Sequence, residues 1–168
     1  MGRFELTGDL ITGIQDIDEH HRTILELGNR VIDLPAIKTN RTLFEDALRF
    51  LADYVIYHFA AEECVMLATS YPNYDHHLRW HERFKCDISD YCGHAAAEDM
   101  SQDLRLKISF AIENWLLEHI RITDREFAKF LQQKGGSVPI RLPNARDLKD
   151  AGKLPEDVNE RLMRGARA

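Results

Sequence analysis

Between residues 48 and 65, buried-type side chains recur at alternating steps of three and four: Leu48, Leu51, Val55, His58, Glu62, Val65. That pattern is the core-facing seam of a helix packed in a bundle. Two of its members are an imidazole and a carboxylate. A carboxylate in such a place is costly unless it is paired or bound to a metal. The apolar neighbours along the seam exclude a solvated face. His58 and Glu62 are four apart, so a helix stacks them on one side about one turn apart. The chain must therefore fold into a helix that turns a charged or metal-binding pair toward its own core.

Three other segments offer the same chemistry. His77 and His81 are again four apart, in the seam His77, His81, Phe84, Ile88, Tyr91. Alone, that pair reads equally well as two hydrogen-bonded core histidines. His119 closes the seam Leu104, Ile108, Ala111, Trp115, His119, and Asp124 follows it. In the first amphipathic stretch, Ile17, Ile24, Leu25, Gly28, Val31 and Ile32 share a face. His21 lies near the middle of that face and His20 near its edge, so His21 is the inward residue. The candidate ligands are thus His21, His58, Glu62, His77, His81, His119 and Asp124. His76 and His94 fall off the seams and read as surface residues.

Five residues on a regular α-helix rotate by about 140°. That would carry Asp124 off the face that holds His119. If both serve one site, a π-type turn between them is the expected compensation.

Turn and cap signals divide the chain into four long helices. Asp16 or Asp18 offers the first N-cap, and Pro35 should stop that helix. Thr42-Leu-Phe-Glu45 has capping-box spacing. Thr69-Ser-Tyr-Pro-Asn73 reads as a turn after the second helix, with Asn73 or Asp75 capping the third. Gly93 should end the third helix, Ser101 start the last, and Gly135-Gly136 end it. The expected fold is all-α: an up-down-up-down antiparallel four-helix bundle over residues 1–134, with an N-terminal arm and a C-terminal extension over 135–168. That topology brings His21, His58, His77 and His119 to the same end. Pro139, Pro143 and Pro155 interrupt the extension, where Glu156 to Met163 reads as a short helix with Val158, Leu162 and Met163 on one side. The extension either packs on the bundle or docks a partner or a second copy.

Composition narrows the partners. The chain has 168 residues and a net charge of −6 without a Lys/Arg block, which argues against nucleic acid. No apolar run approaches the ~18 residues of a membrane span, and the N-terminus lacks the apolar core of a signal peptide. Cys64, Cys86 and Cys92 are an odd set without paired spacing. They read as free thiols in a reducing cytoplasm.

With these motifs in place the chain resembles the hemerythrins, in particular the bacterial type. The motifs are Ile17-Asp18-Glu19-His20-His21, His58-Phe-Ala-Ala-Glu62-Glu63, Tyr71-Pro72 with His77 and His81, and Trp115-Leu-Leu-Glu-His119-Ile with Asp124. The resemblance covers about residues 4 to 132. The chain departs from the family pattern in having His20 where Gln is usual and Phe4 where Trp is common, and in the tail after Gly136.

The resemblance implies two iron ions with an oxo or hydroxo bridge. One would be held by His77, His81 and His119, the other by His21 and His58, with Glu62 and Asp124 spanning both. Counting the bridge, the first iron has six donors and the second five, so one position stays open for O2 or a small anion such as azide. Ferritin-like di-iron sites use four Glu and two His. A set with only two carboxylates makes high-valent iron harder to reach and favours reversible O2 binding over substrate oxidation. Ile24, Phe59, Trp115, Leu116 and Ile120 are the expected apolar cover of the O2 position, and equally plain core. The implied activity is non-enzymatic: O2 storage, delivery or sensing. The rival readings are a di-iron oxidase, peroxidase or nitric-oxide-handling enzyme, and a redox-sensing module that signals through its tail.

Overall fold

A computed structural model describes residues 3–34, 41–97, 102–134 and 141–165, and all regular structure among them is helical. The long helices are α1 (Gln15–Asp33), α2 (Arg41–Thr69), α3 (Tyr74–Ala97) and a fourth run over residues 102–134. That fourth run comprises α4 (Gln102–Ala111), a π segment (Ile112–Leu116), α5 (Leu117–His119), a second π segment (Ile120–Asp124) and α6 (Arg125–Lys134). Helix α1 packs on α2 and α4, and α3 packs on α2 and α4, which closes a ring around one core. Among the described residues no helix is long and apolar enough to cross a membrane.

The seams explain which faces turn inward. Leu48, Leu51, Val55, His58 and Glu62 of α2 are buried, as are His77, His81, Phe84 and Ile88 of α3. Val65 and Tyr91 sit only at the margin. The fourth run departs from expectation. Its buried residues pass from Leu104 and Ile108 to Ile112 and Leu116, while Ala111 and Trp115 are half-buried. The first π segment shifts the face just there, because i→i+5 bonding slows the rotation of the backbone. Gly28 lets α1 approach this stretch, since a Cβ there would stand 2.9 Å from Ile112 Cδ1.

Several boundaries differ from the sequence expectation. Ile14, not an aspartate, occupies the N-cap of α1. Asp18 reaches back from the first turn to accept from Thr12 N and Oγ1, both at 2.8 Å, and from Gly13 N, tying down the arm. Asp16 instead accepts from Leu142 N of the extension. Helix α1 ends at Asp33, and Leu34 is extended (φ −59°, ψ 129°), as a residue before proline should be. Helix α2 already includes Arg41, which pairs with Glu45 at 2.6 Å, so Glu45 is not in a capping box with Thr42. Helix α3 runs through Gly93 to Ala97. Gly93 costs about 1 kcal/mol relative to Ala, and the burial of Ala95 two residues on offsets it. The turn before Arg41, the Ser101 cap and the Gly135-Gly136 stop lie outside the described residues.

Helix α2 ends in a tight motif. Ser70 has φ 53°. Tyr71 N donates to Met66 O and Ser70 N to Leu67 O, the paired bonds of a left-handed helix stop. Tyr71 and Met66 then pack together with Phe127.

The N-terminal arm is fixed by Asn29, whose side chain accepts from Phe4 N and donates to Phe4 O. The extension holds α7 (Ala145–Asp150), absent from the sequence expectation, and α8 (Glu156–Gly165). Asn144 caps α7 by accepting from Asp147 N at 3.0 Å. Leu148, Leu154, Val158 and Leu162 bury themselves against Ala60 and Ala61 on the outer side of α2, whereas Met163 is exposed. Arg161 clamps buried Asp53 with two hydrogen bonds, Nη2 to Oδ1 measuring 2.8 Å. The described part of the extension therefore lies on the bundle.

Candidate metal centre

Four helical segments deliver all seven candidate ligands to one buried place. The ligand atoms form two groups, each within 4.8 Å: Glu62, His77, His81, His119 and Asp124 in one, His21, His58, Glu62 and Asp124 in the other. Glu62 and Asp124 belong to both. His20 is half-buried and outside either group, whereas His21 is fully buried within one. His76 and His94 are exposed.

The second π segment, Ile120–Asp124, lies between His119 and the end of the Asp124 turn. It keeps Asp124 beside His119, with Nε2 to Oδ1 at 2.9 Å. The irregular turn expected from the five-residue spacing is present.

The distances describe a shell of donors facing a common centre. Asp124 spans it, with Oδ2 at 3.0 Å from His21 Nε2 and Oδ1 at 3.2 Å from His77 Nε2. Glu62 is looser, with Oε2 at 3.4 Å from His81, 3.5 Å from His77 and 3.8 Å from His58. Neighbouring donors on an octahedral ion with bonds of ~2.1 Å stand about 3 Å apart. These approaches lack hydrogen-bond alignment. Both oxygens of Glu62 and Asp124, and the Nε2 atoms of His21, His58, His77, His81 and His119, are buried without a hydrogen-bond partner. Buried polar atoms are rarely left so, and so many at one point fit bound metal.

Charge states follow from the same crowding. Burial holds His58 and His81 well below the ordinary imidazole value, with neighbouring imidazoles adding to it. They are neutral, the form that donates to a metal. Burial, then the nearby Asp124 charge, pushes Glu62 up to about 7. Burial would raise Asp124 too, but His119 and its fellow imidazoles hold it well below the carboxylate range. Burial opposes charge on His77, yet Asp124 and Glu62 outweigh it and lift it to about 9. A metal would displace protons from Glu62 and the cationic His77, and would meet an Asp124 that is already ionised.

Three residues behind the donors were given no role by the sequence reading. Glu63 Oε1 accepts from His81 Nδ1 at 2.9 Å, and Lys85 Nζ steadies Glu63 at 3.2 Å. The signal lay in Glu63 following Glu62 and in Lys85 standing four residues after His81. His20 Nδ1 lies 3.4 Å from His58 Nδ1, and its Nε2 lies 3.3 Å from Tyr57 Oη. Were His58 Nε2 to hold a metal, its proton would sit on Nδ1, within reach of His20 Nδ1 as acceptor. Helical phase put His20 at the edge of its face but could not show what it meets.

The apolar set divides. Ile24, Phe59, Leu116 and Ile120 are fully buried in the main core, with Trp115 packed at its margin. Phe59 stacks on His81 (3.9 Å, 7° between planes) and Trp115 on His119 (5.1 Å, 10°). Both rings lie against the three-imidazole group, and Phe59 also meets His58 of the other group, at 5.6 Å between ring centres.

Comparison with known proteins agrees with this geometry. The family described as "Hemerythrin HHE cation binding domain" matches residues 12–131. Bacteriohemerythrin of Stenotrophomonas maltophilia (strain R551-3) is 35% identical over 121 residues, covering 71% of this chain and 76% of that protein. Bacteriohemerythrin of Pseudomonas aeruginosa (strain LESB58) is 36% identical over 117 residues, covering 69% and 73%. Among solved structures, a leucine-to-alanine variant of hemerythrin superposes with a TM-score of 0.68 at 25% identity, covering 77% of this chain and 97% of that one. With most of its length matched by the family model, and a His/Glu/Asp cluster in its core, the chain belongs to the hemerythrin family.

Proposed function

We propose that this protein binds O2 reversibly at a pair of iron ions, held by His77, His81 and His119 on one side and His21 and His58 on the other, with Glu62 and Asp124 across both. The observation that carries this is the unequal pair of donor groups, five residues against four, sharing the two carboxylates. With one bridging oxygen added, the smaller group leaves one position open. The names of the relatives support the reading. When bound, the iron pair supplies an open, redox-active site to which O2 attaches.

The chain's own residues do the rest. The four long helices, in an up-down-up-down bundle over residues 1–134, set the donors in place before any ligand arrives. Glu63 fixes the ring of His81, and His20 fixes the proton of His58. Ile24, Leu116 and Ile120 exclude water, which keeps the site closed to polar substrates and makes turnover chemistry secondary. Storage or delivery in the cytoplasm is the role such a site fits.

A sensing role is favoured by one observation. The extension packs on Tyr57, whose hydroxyl meets His20, which in turn meets His58. A change at His58 therefore has a short path to residues 141–165.

Metal analysis with visible spectra of the reduced, oxygenated and oxidised protein tests the proposal. Two irons per chain and an absorption change that reverses when O2 is removed are expected. Irreversible O2 consumption with a reducing substrate would replace this reading by the oxidase one. Removing residues 137–168 should leave O2 binding intact, and under the sensing reading abolish partner binding.

A further inference from the structure

Three aromatic approaches lead to the ligands. Tyr57 reaches His58 through His20, but the extension overlies it and Asp16 and Asp147 lie near. Tyr71 reaches His77 at 6.3 Å between ring centres, but it is buried under Phe127 and Phe130. The third is Trp80, half-buried on the outer side of α3. Its ring centre lies 5.6 Å from Trp115 and 6.1 Å from His119, and Trp115 itself is stacked on His119. No gap in this series is wider than a ring contact.

The surface around Trp80 is also distinct. A shallow hollow of about 250 Å³ is lined by His76, Arg79, Trp80 and Arg83. Arg79 and Arg83 are exposed and make no ion pair among the described residues. By helical spacing the nearest acids on this face are Asp75, a turn before Arg79, and Asp87, a turn beyond Arg83. A chain of net charge −6 thus shows two guanidinium groups beside a partly exposed Trp80 that touches both Trp115 and His119. Charge of this kind steers an acidic partner and fixes its orientation.

We propose that the α3 face formed by Arg79, Trp80 and Arg83 docks an acidic one-electron carrier protein, and that Trp80 and Trp115 conduct its electron to the His119 side of the metal pair. This rests on the di-iron reading above. Reversible O2 binding requires both irons to be ferrous, and oxidation of the pair leaves them ferric. Each reduced carrier is oxidised by one electron as one iron passes from ferric to ferrous, so two carriers restore the pair. The arginines hold the carrier and the indoles shorten the distance its electron must cross.

The test uses the full, iron-loaded, oxidised protein and a plant-type [2Fe–2S] ferredoxin as the probe. Calorimetry with oxidised ferredoxin reads binding when no electron can flow. Stopped-flow with reduced ferredoxin reads transfer, and photoreduced deazariboflavin, a small neutral donor, serves as control. Wild-type protein should bind ferredoxin at low salt and lose it as salt rises. Arg79→Glu with Arg83→Glu should weaken binding and slow ferredoxin reduction at least about tenfold, leaving reduction by the flavin unchanged. Trp80→Leu should lower the limiting transfer rate at saturating ferredoxin, whatever it does to the affinity, and Trp80→Phe should restore much of that rate. Absence of ferredoxin binding by wild type, or an unchanged affinity and rate in the arginine variant, would overturn the docking surface. An unchanged limiting rate in Trp80→Leu would overturn the route. A protein that holds no iron pair would sink the di-iron reading instead, and calorimetry on the same variants would still decide the surface.

Discussion

Glu63 accepts a hydrogen bond from Nδ1 of His81 at 2.9 Å, and Lys85 Nζ donates to the same carboxylate oxygen at 3.2 Å. The arrangement fixes which ring nitrogen of His81 is free and where it points. Carboxylates behind metal-bound histidines contribute about 10–100-fold to metal affinity. Glu63→Ala should therefore release iron to a chelator about that much more readily, with helix content unchanged by circular dichroism. Glu63→Gln keeps an acceptor without its charge and should fall between. A Glu63→Ala protein that competes with the chelator as wild type does would remove Glu63 from the site.

His20 and His21 are neighbours with opposite expectations. His21→Ala should lower the iron content, whereas His20→Ala should leave it near two per chain, as elemental analysis would show. The opposite ranking would mean that α1 is rotated by one residue. His20 has a second consequence, for pH. Burial, helped by His21, lowers it to about 4. The unfolded chain then binds this proton while the native one does not. Stability from this source is complete above pH 6.5 and is lost as pH falls toward 4, by up to about 3 kcal/mol. His20→Gln should flatten the denaturation midpoint over that window. A midpoint that still falls as steeply would place the acid sensitivity elsewhere.

Leu116 is fully buried just before the stretch that carries His119. Leu116→Ala removes about 2–5 kcal/mol of packing and opens room for water near the ligands. Oxygenated protein should then pass to the oxidised form faster, with iron still bound. Leu116→Ile conserves volume and should behave like wild type. Equal decay in all three, followed by visible absorption, would make Leu116 a core residue and nothing more.

Ser70 holds a left-handed backbone at the end of α2 with φ 53°. A side chain there costs about 1–2 kcal/mol, and glycine recovers this less its extra freedom when unfolded. Ser70→Gly should gain about 0.5–1 kcal/mol and raise Tm by about 1–4 °C, with O2 affinity unchanged. A lower Tm would mean that the serine hydroxyl holds the turn.

The seams were legible because α2 and α3 are regular. Once the period is followed from Leu48 to Glu62, the inward side of His58 is fixed, and His77 and His81 follow by the same rule. The fourth run was half legible. The Asp124 spacing announced a π turn because two ligands had to be reconciled. Nothing in Ile112–Leu116 demanded one, so Trp115 was placed inward where Leu116 belongs. The ends of helices misled for a related reason. Asp18 and Glu45 have the composition of caps, but each found a different partner once Thr12 and Arg41 came within reach. The Asp53–Arg161 clamp joins positions 108 residues apart, and no local pattern announces such a pair.

An i→i+5 turn spends one residue more than the α turn it replaces. The backbone would lose nothing by giving that residue up. A deletion between His119 and Asp124 would let the helix run straight and leave the two four apart, still on one face. A regular helix that kept all five steps would instead turn Asp124 about 140° away from His119. The extra residue is harmless to the site only because the turn absorbs it.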